Sequence, residues 1–155
     1  MKQKLLILII SLLALIGCAG TLGGFDRVTF KTSKRNVVNA IDTLFVKNPE
    51  YLIPKKWKKY DDWKAKRYDF LDSRIFYFKS SPEEMYYVTF YGDANHATQT
   101  DTTKTSISIR AFNNGSQDWH LESKTSEAEK NRIQKRFKEE IISKLEKYII
   151  DNKNY

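Results

Sequence analysis

The chain has 155 residues and a single cysteine, Cys18, so it can form no disulfide within itself and its fold depends on packing. Its length fits one domain, because about 150 residues bury roughly two-thirds of their unfolded surface. Lysine and arginine number 27 against 19 acidic residues, which gives a net charge of +8. A charge of this sign favours anionic partners such as phospholipid headgroups or acidic polymers.

The first eighteen residues have the pattern of a secretion signal. Lys2 and Lys4 precede an uncharged, mainly apolar run over residues 5–17. As a helix this run spans about 20 Å, less than the roughly 30 Å hydrocarbon core of a bilayer, so it predicts a removable signal peptide rather than a membrane span. The run ends in Leu15-Ile16-Gly17-Cys18, which resembles the lipobox of bacterial lipoproteins.

The lipobox resemblance implies that cleavage leaves Cys18 as a lipidated N-terminus. Such lipoproteins carry a diacylglyceryl group and often a third chain, and stable anchoring requires more than one acyl chain. Ala19 replaces the aspartate that retains enterobacterial lipoproteins at the inner membrane, so we expect an outer-membrane location in a cell with two membranes. Residues 18–24 predict a short flexible tether to a single domain over residues 25–155. Removal of residues 1–17 takes away two lysines, which lowers the net charge from +8 to +6.

Hydrophobic periodicity predicts a strand and then one or two helices at the start of the domain. Residues 27–31 alternate polar and apolar side chains, as is typical of a half-buried strand. Ser33 is a suitable N-cap for a helix that Asn48-Pro49 ends. The apolar face of that helix contains Val37, Val38, Ile41, Leu44 and Phe45. Pro54 can begin a second, short helix that reaches about residue 67.

Four more strands and a long helix complete the predicted order. Residues 74–79 and 85–91 are rich in aromatic and β-branched side chains and flank a hairpin-length connection. Residues 105–112 pair with residues 117–124 across a glycine-containing turn. Ser126 and Glu129 form a capping box that begins a helix of about 24 residues. Its apolar face is made by Ile133, Phe137, Ile141, Leu145, Tyr148 and Ile149.

The order β-α(α)-β-β-β-β-α indicates an α+β protein with an antiparallel sheet of about five strands. It resembles the helix-grip folds, the TATA-binding-protein-like and Bet v 1-like group, in which a curved sheet wraps a long C-terminal helix. That resemblance implies room for an apolar ligand between sheet and helix. A two-layer sandwich with the helices on one face explains the same order equally well.

Residues 55–68, here called the basic segment, combine seven basic residues, two aspartates and several aromatic side chains. Tryptophan and tyrosine settle at the headgroup level of bilayers, so the segment predicts a surface for an anionic membrane or envelope polymer. The alternative is that its aromatic rings pack on the sheet while its lysines are merely solvated. The candidate surface contains Lys55, Lys56, Trp57, Lys58, Lys59, Tyr60 and Trp63.

A second candidate surface lies on the sheet. Strand alternation that directs phenylalanines toward the helices directs tyrosines to the opposite face. These tyrosines are Tyr77, Tyr87 and Tyr91. Tyrosine combines apolar area with a hydroxyl and is common where proteins bind proteins or sugars. The alternative is a ladder of cross-strand pairs that only shields the sheet.

Catalysis has little support in the sequence. Asp93, His96 and Asp101 lie in a polar loop over residues 92–103, but their spacing matches no zinc or hydrolase pattern. We expect His120 to point outward from its strand. The sequence therefore predicts no catalytic residue, no metal and no cofactor.

The sequence thus predicts a non-catalytic cell-envelope lipoprotein, held to the membrane by lipid on Cys18. Its expected partner is an anionic lipid or envelope polymer, or another envelope protein, and not nucleic acid, which a lipid-anchored chain outside the cytoplasm rarely meets. One alternative is a carrier or sensor of an apolar ligand between the sheet and the long helix. A further alternative is a hydrolase that uses the loop from Asp93 to Asp101.

Overall fold

The computed structural model describes residues 24–68, 71–91 and 103–151. The strands are β1 (Val28–Phe30), β2 (Ser73–Phe78), β3 (Glu84–Tyr91), β4 (Thr105–Asn113) and β5 (His120–Leu121). Helix α1 covers Lys34–Lys47, and the C-terminal helix covers residues 127–151. Short 3₁₀ turns occupy Pro49–Tyr51, Lys55–Tyr60 and Glu122–Lys124. The predicted α+β class, with an antiparallel sheet of about five strands and a long C-terminal helix, is confirmed.

Some predicted features cannot be placed. The lipobox with Cys18 and residues 19–23 of the tether lie outside the described residues, and so do Asp93, His96 and Asp101.

The sheet is open and every strand pair in it is antiparallel. The strand order is β1-β4-β3-β2, and β5 also pairs with β4. Because β3 occupies one edge of β4, the short strands β1 and β5 share the other edge. Val28 of β1 lies opposite Ile107, and His120 of β5 lies opposite Phe112. The register between β3 and β4 shifts after Tyr87, which leaves Arg110 as an extra residue of a β-bulge.

Helix α1 and the C-terminal helix pack together on one face of the sheet, here called the inner face. The hydroxyls of Ser33 and Ser126 accept hydrogen bonds from the backbone N–H groups of Asn36 (3.4 Å) and Glu129 (3.3 Å), as expected of N-caps. All six residues of the predicted apolar face of the C-terminal helix are buried. Within that helix, Lys138–Ile142 has π-helical hydrogen bonding. The main core draws its buried residues from positions 25–149, so a chain that begins at residue 18 contains all of it.

A buried ion-pair network joins the β2–β3 hairpin to the C-terminal helix. Glu84 is 1% exposed, and its carboxylate accepts hydrogen bonds from Arg132 Nη1 (3.0 Å), Arg136 Nη1 (3.1 Å) and the Tyr86 hydroxyl (2.9 Å). Arg136 also donates to the carbonyl oxygens of Pro82 (2.6 Å) and Ser80 (3.1 Å). Several charge-assisted bonds therefore fix the hairpin to the helix.

Two predicted elements are shorter than expected. The strand predicted over residues 117–124 is reduced to His120–Leu121, because the Asn113 side chain donates to the carbonyl oxygens of Ser116 (3.0 Å) and Asp118 (3.2 Å). These side-chain bonds take the place of a strand ladder. The predicted helix after Pro54 ends at Tyr60.

His120 also departs from its prediction. Its ring stacks on Phe112 with centroids 5.1 Å apart, and its Nε2 lies 2.9 Å from the Ser116 hydroxyl. The side chain is half-buried rather than directed outward into solvent. Its packing on a core phenylalanine gives it a structural role.

Candidate binding surface

The basic segment crosses the face of the sheet opposite the helices, here called the outer face. Tyr51 still packs on the inner-face residue Phe78, with ring centroids 5.8 Å apart. Two residues later, Ile53 packs with the outer-face residues Trp57 and Tyr77. The chain therefore rounds the free edge of β2 before it forms the basic segment, and it returns to β2 at Ser73.

An aromatic cluster holds the basic segment on the sheet. Trp63 stacks on Tyr87, with centroids 4.0 Å apart and planes 14° apart. Trp57 packs edge-on against Tyr77 at 5.6 Å, and Trp119 contacts Trp63 at 5.2 Å. The cluster consists of Trp57, Tyr60, Trp63, Tyr68, Tyr77, Tyr87 and Trp119. Ring pairs of this kind add about 0.5–1.5 kcal/mol each beyond their buried area.

Hydrogen bonds tie the polar atoms of Trp57, Tyr77 and Trp119 to neighbouring loops, whereas Trp63 Nε1 and the Tyr87 hydroxyl are buried without a hydrogen-bond partner among the described residues. Trp57 Nε1 donates to Glu83 Oε1 (3.0 Å), and the Tyr77 hydroxyl donates to the same carboxylate. Trp119 Nε1 donates to the Tyr60 carbonyl (2.8 Å). Burial and the adjacent Glu83 raise the pKa of Tyr77 to about 12, whereas the Lys56 ammonium and the Tyr77 hydroxyl hold the pKa of Glu83 below its usual range. Tyr77 is therefore a neutral hydrogen-bond donor at physiological pH.

The predicted tyrosine surface needs a correction. Tyr77 and Tyr87 do lie on the outer face, but they are only 5% and 2% exposed because the basic segment covers them. Tyr91 is half-buried and lies beside Arg27 and Arg110, whose guanidinium carbons are 3.2 Å and 4.7 Å from its ring centroid. Hydrogen bonding and charge from these arginines lower the pKa of Tyr91. The tyrosines therefore form no open binding face.

The lysines of the basic segment are directed to solvent. Lys55, Lys56, Lys58 and Lys59 are all exposed, whereas Trp57 between them is buried. Lys56 forms an ion pair with Glu83 (2.6 Å). The segment thus presents its positive charge outward and its aromatic rings to the sheet.

The chain enters the domain along the edge of β4, where the Phe25 ring joins the main core and packs on Phe112 (6.4 Å between centroids). The backbone N–H of Phe25 donates to the Ile109 carbonyl (3.0 Å), and the Ser108 hydroxyl donates to the Phe25 carbonyl (2.5 Å). A Cβ at Gly24 would lie only 3.4 Å from Arg110 Cδ. Arg110 is on the outer face, since its Nε donates to Thr89 (2.8 Å).

Charged residues of the chain entry and of the basic segment both affect the pKa of Tyr87. Burial raises the pKa of Tyr87, and the Ser73 hydroxyl opposes that effect. The charge of Asp61 raises the same pKa and that of Arg110 lowers it. Asp61 belongs to the basic segment, and Arg110 lies beside Gly24 at the chain entry.

A cleft of about 710 Å³ opens between the basic segment and β2. Lys58, Asp61, Trp63, Lys64 and Tyr68 line it on one side. Its other lining residues are Phe45, Leu52, Ile53, Leu71, Ser73, Arg74, Ile75 and Tyr87. Its volume is within the range of small-molecule sites, about 300–1,000 Å³. Sequence patterns did not indicate this cleft, because its walls come from segments that are distant along the chain.

No protein-family model, curated protein or solved structure matches this chain. Within residues 24–68, 71–91 and 103–151, no group of three or more histidine, cysteine or acidic side chains is placed to hold a metal ion. In the same part of the chain, no helix combines the length and apolar character needed to cross a membrane.

Proposed function

We propose that the protein is a lipid-anchored module of the bacterial cell envelope that binds an anionic surface through its basic segment. The lipobox resemblance at Leu15-Ile16-Gly17-Cys18 supports the anchor. The net charge of +6 that remains after removal of residues 1–17 supports an anionic partner.

The observation that carries the proposal is the position of the chain entry. Gly24 and Phe25 lie along the edge of β4, where Gly24 is next to Arg110, a residue of the outer face. Residues 18–24 span at most about 20 Å when fully extended. A lipid on Cys18 would therefore keep the entry point near the membrane surface, with the exposed lysines of the basic segment on the same side.

The lysines of the basic segment should contribute a measurable free energy of binding to an anionic surface. Each lysine near an anionic surface contributes about 1 kcal/mol, and the attraction fades as the Debye length falls to about 8 Å at physiological ionic strength. We therefore expect these four exposed lysines, of which Lys56 is already paired with Glu83 (2.6 Å), to give binding that is strong at low salt and weak at moderate salt.

The test is sedimentation with anionic vesicles, which uses residues 18–155 with Cys18→Ser. We expect salt-sensitive binding that is abolished when Lys55, Lys56, Lys58 and Lys59 are all replaced by glutamine. The matched control replaces four exposed lysines near or on the C-terminal helix, namely Lys124, Lys135, Lys138 and Lys147. Both variants lose the same charge, so equal loss of binding in the two would refute a role for the basic segment in particular.

The anchor has its own test. Metabolic labelling with a clickable fatty acid should label the wild-type chain, and Cys18→Ser should remove the label and release the protein to the soluble fraction. Equal labelling of both chains would overturn the assignment of Cys18.

One observation favours the second candidate, a carrier of an apolar ligand. A cleft of about 440 Å³ lies between β1 and the C-terminal helix, with Val28, Ile109 and Phe137 among its lining residues. Charged Asp26 and Lys138 also line it. Saturable displacement of a fluorescent fatty acid by oleate would support this function, and its absence would leave surface binding alone.

A further inference from the structure

We infer that the cleft between the basic segment and β2 binds an acidic sugar unit, such as a uronic acid residue of an envelope polymer. This inference rests on the proposed function for the source of the ligand, because an envelope location is what would bring such a polymer to the cleft. The lining of the cleft, its charge and the free edge of β2 support a binding site there.

The walls of the cleft differ in chemistry. Phe45, Leu52, Ile53, Leu71 and Ile75 supply an apolar lining, and Trp63 and Tyr68 add aromatic rings. Charged and hydroxyl side chains from the basic segment and β2 line the remainder. A sugar ring has a matching form, with C–H groups on its faces and hydroxyl groups around its rim. Sites of this mixed kind, mainly apolar with a few placed polar groups, are typical of small-molecule recognition.

The edge of β2 adds backbone hydrogen-bonding groups. β2 pairs only with β3, so its other edge is free of strand partners within the described sheet. Three consecutive residues of β2, Ser73, Arg74 and Ile75, line the cleft, which therefore runs along that edge. On such an edge, every second residue directs its N–H and C=O away from the sheet. Sugar hydroxyls can both donate to and accept from these groups.

The positive charge of the cleft favours a ligand that carries a carboxylate. Lys58, Lys64 and Arg74 contribute three positive charges to its lining, against one negative charge from Asp61. Among the described residues, Lys58 and Lys64 are exposed and have no carboxylate within ion-pair distance. Arg74 already donates to Asp72 (2.8 Å), so the two lysines are the side chains most available to a carboxylate on the ligand.

The experiment titrates residues 18–155 carrying Cys18→Ser with digalacturonic acid, and it follows tryptophan fluorescence because Trp63 lines the cleft. We expect saturable binding, with neutral maltose bound at least tenfold more weakly. The double variant Lys58→Gln, Lys64→Gln should weaken digalacturonate binding by at least about tenfold, since the loss of even one hydrogen bond to a charged group typically has an effect of that size. The double variant Lys124→Gln, Lys147→Gln is the matched control, because it removes the same charge from two exposed lysines that lie outside the basic segment and do not line the cleft.

Several results would overturn the inference. These are no saturable binding of digalacturonate, equal affinity for maltose, or equal weakening by the control variant Lys124→Gln, Lys147→Gln. Octanoate bound more tightly than digalacturonate would show that the cleft selects an apolar acid instead. Vesicle sedimentation separates this inference from the proposed function. If vesicles bind but digalacturonate does not, the cleft assignment alone is wrong, and the reverse result refutes the membrane-surface role alone.

Discussion

Replacement of Phe137 by alanine should strongly destabilise the domain. Phe137 is 4% exposed in the C-terminal helix, and its ring packs edge-on against Phe76 (5.9 Å between centroids) and Tyr86 (6.4 Å). Truncation of a buried phenylalanine costs about 3–5 kcal/mol, against a total stability of about 5–15 kcal/mol. With a urea m-value of about 2 kcal/mol/M, the unfolding midpoint should fall by about 2 M.

Urea denaturation followed by circular dichroism measures this effect. The matched control is Lys135→Ala, two residues away on the exposed side of the same helix, where a surface substitution changes stability by no more than about 0.5 kcal/mol. If the midpoints of Phe137→Ala and Lys135→Ala fall by equal amounts, the helix does not pack through Phe137 and the described core is wrong.

Two charged groups give further predictions. Glu84→Gln should destabilise the domain by about 1–3 kcal/mol in the same urea assay, because Arg132 and Arg136 lose their buried carboxylate partner but keep ion pairs with Glu129 (2.7 Å) and Glu140 (2.9 Å). Wild-type stability in this variant would contradict the network. Although burial opposes the effect, hydrogen bonding and charge from Lys34 and Arg74 hold the pKa of Asp72 below its usual range. The stabilisation from Asp72 is then complete above its unfolded pKa of about 3.9 and is lost as the pH falls through the lower folded pKa. Asp72→Asn should therefore lower the melting temperature at pH 7. The difference in melting temperature between the variant and the wild type should shrink as the pH falls below 4. A difference that grows below pH 4 would contradict a lowered pKa of Asp72.

The elements that could be predicted from the sequence are those with local signals. Ser33 and Ser126 mark helix starts by side-chain chemistry within three residues, and the phase of the C-terminal helix follows from the spacing of its apolar residues. The extent of β5 could not be predicted in this way. Trp119 and Leu121 flank the polar His120 as in a strand, but hydrogen bonds from the Asn113 side chain hold the preceding residues in a different conformation.

The candidate surface was only partly predictable for a related reason. The exposed lysines follow directly from their position in a charged run. The burial of Tyr87 depends on Trp63 and Trp119, which lie 24 and 32 positions away along the chain, and no local pattern specifies such contacts. The cleft beside β2 depends on the same long-range packing of the basic segment.

A measurement of how the domain is oriented on an anionic membrane tests the proposed function most directly. The chain of residues 18–155 with Cys18→Ser contains no cysteine, so an environment-sensitive dye can be attached to a single introduced cysteine. One variant is Ala65→Cys, in the basic segment. The other is Val46→Cys, on α1, where Val46 is 82% exposed. Neither change removes a lysine. On anionic vesicles at low salt, the dye at position 65 should shift to the blue and the dye at position 46 should not. A blue shift at position 46 alone, or equal shifts at both positions, would contradict the proposal that the basic segment faces the membrane.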